Sequence, residues 1–225
     1  MDVQRTGLQY LGGKLNLRTL SNGQQAWSLS SGQYVKEAVG NVKKYLASVG
    51  DSLPRRAQTP ISTDYRPETD VSHELGEKDA AYYHSLIGML RWIVELGRAD
   101  ICLEVSMLSS HLALPRVGHY RQVLHIFAYL DKHHNAEMVF DPTPWTVPPT
   151  DFEKKDWNYS IYGCEGTKEV LPKDMPQPLG QSMRLRVFVD SDHAGDQVTR
   201  RSRTGGRASL SSVAVRQART HKRRR

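Results

Sequence analysis

Three carboxylates fall close together in Asp190-Ser191-Asp192-His193-Ala194-Gly195-Asp196. They follow Leu185-Arg186-Val187-Phe188-Val189, an alternating apolar run that reads as a strand. Asp190 therefore sits where a strand enters a Gly-containing turn. A carboxylate held on rigid backbone suits a hard divalent cation, which takes oxygen ligands. Paired metals of that kind hydrolyse phosphodiesters by clamping the attacking and leaving oxygens. Asp and Gly also favour turns for purely local backbone reasons, so Asp190, Asp192 and Asp196 equally suit a polar turn, and spacing alone favours it. The sequence as given holds no acidic residue after Asp196. The expectation is the beginning of an active site, with one catalytic and metal-ligating candidate, Asp190.

Next to the carboxylates lies Arg200-Arg201-Ser202-Arg203-Thr204-Gly205-Gly206-Arg207. Arg200, Arg201 and Arg203 are candidates for phosphate contact; the competing reading is a solvated charge run. Lys222-Arg223-Arg224-Arg225 could bind nucleic acid or act as a nuclear address, and four charges do not separate the two. The net charge of +7 is unevenly distributed. Residues 181–225 hold 12 Lys/Arg against 3 Asp/Glu, which leaves 19 basic and 21 acidic residues before them. The body of the chain thus makes no electrostatic case for nucleic acid.

Other chemistry is poorly represented. His111, His119 and His125 lack the i, i+4 spacing of a helical metal pair, and His133-His134 falls at a helix end, where cationic character is favourable without any ligand. There is no phosphate-cradling Gly-rich loop, Gly-x-Ser-x-Gly elbow or Cys/His nucleophile pattern. Trp27, Trp92, Trp145 and Trp157 are dispersed and form no evident stacking platform. Cys102 and Cys164 are too few for a disulfide framework, and Cys102, within a helical pattern, reads as a small core residue. No signal peptide and no apolar run of membrane-spanning length is found. The expectation is a soluble intracellular chain, cytoplasmic or nuclear, with no membrane partner.

The elements that must carry these residues are legible in outline. Leu8–Leu17 and Gln25–Ser30 read as extended segments joined around Ser21-Asn22-Gly23, a hairpin signal. Val35, Val39, Val42 and Leu46 recur at helical spacing, with Gly50 as a stop. Residues 51–78, with Pro54, Pro60 and Pro67, read as a linker or a loop lying across the surface. Three apolar stripes follow: Leu86, Leu90 and Ile93; then Ile101, Val105, Leu108 and Leu112 with Asp100 as N-cap; then Tyr120, Val123, Phe127 and Leu130. Short breaks between them predict a compact helical subdomain. Seven prolines between Phe140 and Pro178 mark a long connection, with a short strand expected at Tyr159–Tyr162.

Taken in order, Tyr10-Leu11-Gly12, Tyr83-His84-Ser85-Leu86-Ile87-Gly88, Arg98-Ala99-Asp100-Ile101 with Val105-Ser106, and Phe188 to Asp196 form a succession. It resembles the Pol polyprotein of copia-type LTR retrotransposons, from late reverse transcriptase through the helical thumb and connection into the opening strand of ribonuclease H. The resemblance covers roughly residues 8–206, and the Arg200 to Gly205 run is similar to the family's basic turn after that strand. It implies that Asp190 is the first ribonuclease H carboxylate, a metal ligand in the family, with Mg2+ as the parent's cofactor and RNA–DNA hybrid or template–primer as its partner. The family's polymerase metals are held by an Asp-Asp hairpin, and no Asp-Asp pair occurs here. The later ribonuclease H ligands are also missing, so the chain is expected to bind no metal stably and to be inactive alone. After Gly206 the likeness stops, and residues 207–225 hold seven basic and no acidic residues.

The fold class expected from all this is α+β. Residues 1–78 make the palm-like end with hairpin, helix and linker, and 79–139 a helical thumb/connection-like subdomain. Residues 140–183 form a Pro-rich connection, 184–206 the first strand and turn of a truncated ribonuclease H-like sheet, and 207–225 a basic, unstructured tail. The alternative function is a non-catalytic nucleic-acid-binding or scaffold protein with a basic tail.

Overall fold

The computed structural model describes residues 9–142, 172–176, 185–210 and 214–219. Over the described residues the chain is α+β, with a small antiparallel sheet and four α-helices. The strands are β1 (Gln9–Tyr10), β2 (Gly13–Thr19), β3 (Gln25–Ser30), β4 (Ala136–Asp141), β5 (Leu185–Ser191), β6 (Thr204–Leu210) and β7 (Ala214–Arg219). The helices are α1 (Gly32–Ser48), α2 (Glu77–Glu95), α3 (Cys102–Ser109) and α4 (Val117–Lys132). One sheet runs β1-β2-β3-β4-β7, and β5 pairs only with β6 among the described strands.

The first expected strand is interrupted. Leu11 and Gly12 both take positive φ (50° and 90°) between the paired residues Tyr10 and Gly13, the tight two-residue turn that matches strand twist. A Cβ on Gly12 would lie 3.3 Å from the Tyr34 ring and 3.6 Å from Leu96, so the turn also needs glycine to approach α1 and the end of α2. The expected hairpin between β2 and β3 is present, in register from Lys14↔Ser30 to Thr19↔Gln25. All four helices lie between β3 and β4 in sequence, yet the two strands pair directly, from Trp27↔Phe140 to Ser30↔Glu137. β4 therefore crosses the expected 139/140 boundary. Its Ala-Glu-Met-Val-Phe-Asp alternation is short, and its pairing partner lies more than a hundred residues away in sequence.

The core is helical. The expected stripes on α1, α2 and α4 are buried, with Val35, Leu46, Leu86, Leu90, Ile93, Val123, Phe127 and Leu130 all inaccessible to solvent. Burying a side chain of that size contributes about 1.5–3 kcal/mol, so this shared face organises the fold. Tyr83 joins it and donates its hydroxyl to Leu108 O at 2.8 Å, tying α2 to α3. The second stripe is shorter than the spacing predicts: α3 ends at Ser109, and Leu112 lies beyond it. Cys102 opens α3 exposed to solvent and does not pack in the core.

Of the two readings of the 51–78 segment, linker or loop lying across the surface, residues 51–76 follow the second. They form a strap laid antiparallel along α4, whose side chains hold the strap backbone at intervals. Lys132 Nζ donates to Arg55 O (2.9 Å), His125 Nε2 to Thr59 O (3.1 Å) and His119 Nε2 to Pro67 O (2.9 Å). Gln122 Oε1 accepts the Ser62 N–H at 3.1 Å, and Pro115 O accepts the Leu75 N–H at 2.9 Å. Within the strap, Ala57 and Pro67 are buried. A segment fastened through its own backbone needs no apolar periodicity, which is why its sequence reads as irregular.

Beyond β5 the chain departs from the expected loose end. β6 pairs with β5 over Leu185↔Leu210 to Ser191↔Thr204, and β7 adds to β4 over Ala136↔Arg219 to Asp141↔Ala214. Residues 207–210 and 214–219 are thus strands, where composition predicted an unstructured tail. The open edge of β4 offers backbone donors and acceptors that any extended segment can satisfy, whatever its charge. The strand expected at Tyr159–Tyr162 and most of the Pro-rich connection lie outside the described residues.

Candidate functional site

Asp190 is the penultimate residue of β5, exposed, its backbone opposite Gly205 of β6. The other two carboxylates build the connection between the strands. Asp192 N–H donates to Arg203 O at 3.0 Å, while its side chain accepts the Arg203 N–H. The Asp192 carboxylate folds over Gly195, where a Cβ would lie 2.0 Å from Asp192 Oδ2 and that exposed side chain would have to swing aside. Asp196 Oδ1 accepts the N–H groups of Val198 (3.0 Å) and Thr199 (2.7 Å). The Thr199 backbone N–H, helped by the Thr199 hydroxyl, the Val198 N–H and the Arg203 charge, holds the Asp196 carboxyl below its ordinary value. Asp192 and Asp196 are therefore turn-building residues, the plainer of the two readings their spacing allowed.

The donor set does not fit a two-metal centre. Among the described residues no group of three or more His, Cys, Asp and Glu is placed to share an ion. Asp190 is one hard ligand, and paired-metal hydrolysis needs several on two ions.

The three arginines do not form one surface. Arg200 and Arg201 are exposed, and Arg200 is held at φ 59°, its N–H donating to Asp196 O at 2.9 Å. Arg203 is half-buried, and its charge lies within electrostatic reach of His111. Ser202 Oγ accepts the Ala194 N–H at 2.9 Å, closing the base of the turn. The arrangement presents two guanidinium groups to solvent and keeps the third as a structural neighbour.

Sequence spacing held no sign of a histidine pair in the helical body. His111 and His119 stack with ring centroids 4.3 Å apart. His119 is buried, and its nitrogens are both committed: Nδ1 accepts the Arg116 N–H at 3.1 Å and Nε2 donates to Pro67 O. From the strap, Glu68 Oε1 accepts the Gln197 N–H of the turn at 3.5 Å. The two histidines are eight residues apart on different elements, so no local period reveals them.

A second concavity, about 330 Å³, lies between the C-terminal ends of α1 and α4, with Lys43, Arg55, Asp131 and Lys132 on its walls. Lys43 Nζ contacts both Asp131 oxygens at 2.8 Å, and Lys132 is committed to Arg55 O. Two helix C-termini meet here, and cations offset their negative ends. The charges are accounted for by the fold. No helix among the described residues is long and apolar enough to cross a membrane. Comparison of the chain with protein-family models, curated proteins and solved structures finds no match.

Proposed function

We propose that this chain is a segment of a copia-type retrotransposon Pol polyprotein that contacts a nucleic-acid duplex and does not itself catalyse. In this reading residues 1–78 are the end of a reverse transcriptase palm-like region, 79–139 a thumb- and connection-like subdomain, and 184–206 the opening of a ribonuclease H-like domain. The observation that carries it is the ordered succession of four motif groups from Tyr10 to Asp196. Further support lies in what those residues do. Leu11–Gly12 makes a tight turn, Tyr83, Leu86 and Ile87 are core, Arg98 and Asp100 form a buried pair, and Asp190 stands exposed at the end of a paired strand. The partner is an RNA–DNA hybrid or template–primer, met chiefly through its phosphates and backbone shape. Arg200 and Arg201 are the groups best exposed for that contact.

A second reading, a non-catalytic nucleic-acid-binding or scaffold protein with a basic tail, draws on the +9 surplus of residues 181–225. Binding of a labelled RNA–DNA hybrid across a salt series tests both. Removing one cation that neutralises a phosphate flattens the log–log salt dependence by roughly 0.9. The triple substitution of Arg200, Arg201 and Arg203 by Ala is expected to weaken binding and flatten that slope by about 2–3 units. Salt-independent binding, or none, removes the first reading and leaves of the second only the scaffold. A drop in affinity only when residues 207–225 are deleted favours the basic-tail protein. Asp190→Asn is expected to change no activity, and Mg2+-dependent hybrid cleavage abolished by that substitution overturns the non-catalytic assignment.

A further inference from the structure

We propose that Asn22 is a site of spontaneous covalent modification. The main-chain nitrogen of Gly23 displaces the side-chain amide as ammonia, and water then leaves aspartate or isoaspartate in the turn. Asn22-Gly23 is the only Asn-Gly pair in the sequence, and the fold sets it at the tip of the β2–β3 hairpin. Ser21, Asn22, Gly23 and Gln24 are all exposed, and a Cβ on Gly23 would meet nothing within 4 Å. The nucleophile is therefore unhindered, and water reaches the product of its attack.

The hydrogen bonds of the turn act on both partners of the reaction. Asn22 Oδ1 accepts the Gln24 N–H at 3.0 Å. That donor faces the oxygen on which negative charge develops as Gly23 N adds to Cγ, the role of an oxyanion-hole amide. Nδ2, the leaving nitrogen, donates to Gln24 Oε1 at 3.1 Å, which fixes the orientation of the amide. One bond opposes attack: the Gly23 N–H donates to Leu20 O at 3.0 Å and must first be released. Such a bond is worth a factor of roughly two to ten.

The reaction balances with water as its one co-reactant. The Cγ–Nδ2 bond breaks as Gly23 N bonds to Cγ, and the Gly23 amide proton leaves with Nδ2 as ammonia. Water opens the cyclic imide. Addition at Cγ gives aspartate; addition at the Asn22 main-chain carbonyl gives isoaspartate, whose main chain runs through Cβ and Cγ and is one carbon longer. Either product places a new negative charge at the tip. Isoaspartate also disturbs the closure of the turn, where the Leu20 N–H donates to Gln24 O at 2.7 Å beside the Thr19↔Gln25 pair.

Peptide mapping by mass spectrometry, on the full folded chain held at mildly alkaline pH, tests this. Asn22 is expected to convert to both aspartate and isoaspartate. Asn16, Asn41 and Asn135 should stay intact, since the side chains of Leu17, Val42 and Ala136 crowd the corresponding attack. The rate should be at most about tenfold slower than in a short unstructured peptide spanning residues 18–27, the allowance for the bond to Leu20 O. It should rise by up to about tenfold per pH unit, as the ionised fraction of the attacking amide does. In Gly23→Ala the products should be lost over the same period; if that variant does not fold, the same substitution in the peptide reads the role of Gly23. Intact Asn22 in the folded chain while the peptide converts, or a slowing beyond about tenfold, overturns the proposal. Aspartate without isoaspartate overturns it too, because direct hydrolysis of the side chain needs no attack by Gly23.

Discussion

Arg98 brings a full positive charge into the interior at 1% exposure, and its neutralisation is local. Its Nε and Nη2 each donate to Asp100 at 2.8 Å, in the fork geometry that suits a carboxylate, and the Tyr129 hydroxyl adds a third donor to Asp100 at 2.9 Å. Nη1 has no hydrogen-bond partner among the described residues. The run Arg98-Ala99-Asp100 reads in sequence as the approach to a helix with Asp100 as its cap. In the structure Asp100 lies in a short 3-10 turn, and Ile101 holds the capping position of α3. A cap needs a free carboxylate, and a guanidinium two residues away claims this one first. Gly97 before it takes φ 97°, and a Cβ there would approach Met138 to 3.3 Å, so the pair is seated against β4 by a residue that must be glycine. Removing one partner of a buried ion pair strands the other charge. Asp100→Ala is expected to destabilise the protein by about 3–5 kcal/mol, measured by urea unfolding. A loss below about 1 kcal/mol, the worth of an exposed pair, would show that Arg98 is hydrated in solution.

The start of α4 turns a familiar rule around. Replacing glycine by alanine inside a helix ordinarily stabilises it by about 1 kcal/mol. Gly118, the second residue of α4, donates its N–H to Ser72 Oγ at 2.8 Å, while Asp70 accepts from the Tyr65 and Ser72 hydroxyls and the Ser72 N–H. Burial raises the Asp70 carboxyl, but the Ser72 and Tyr65 hydrogen bonds outweigh it and hold the group below its ordinary value. A Cβ on Gly118 would fall 1.7 Å from Asp70 Oδ2, on a short side chain already fixed by three donors. Gly118→Ala should therefore destabilise, by about 1–3 kcal/mol, the range for an overpacked site. In the Asp70→Ala background the same change should become neutral or stabilising. A double-mutant cycle by thermal unfolding measures this, and additive effects would refute the clash. Such a contact could not be read from the chain, because it joins an aperiodic strap to a helix start 48 positions on. The helices themselves were legible because Val35 to Leu46 and Leu86 to Ile93 repeat at the period of the face they bury. β4 and β7 were not, since each is six residues long and acquires its pairing only across a long separation. Asp190, Asp192 and Asp196 were located correctly at a strand end, but only geometry separates the exposed carboxylate from the two that build the turn.

The titratable groups of the whole molecule pull its stability in opposite directions over one pH window. His125 is held below 6.5 by burial, then by Lys132, despite its hydrogen bond to Thr59 O. His111 is lowered too, by burial, His119 and Arg203. For a base depressed by folding, the unfolded chain binds protons more readily, so this stability is present above 6.5 and lost as pH falls through the folded values. Glu104 in the first turn of α3 is raised above 4.5 by burial and then by Asp100, despite a backbone hydrogen bond that lowers it. An acid raised by folding has the opposite sign: its contribution is present below 4.5 and lost as pH rises through the folded value. Acidification from neutrality thus relieves the Glu104 penalty while it charges two poorly hydrated imidazoles. The two effects separate by substitution. Glu104→Gln should be more stable than wild type at pH 7, with that advantage shrinking to nothing as pH falls past 4.5, since both side chains are then uncharged. His125→Gln keeps a donor for Thr59 O and should lose less stability between neutral and acid pH than wild type. Urea midpoints across the pH range measure both. A Glu104→Gln advantage that persists unchanged at acid pH would mean the side chain acts through packing, and an unaltered acid limb in His125→Gln would assign that limb to other groups.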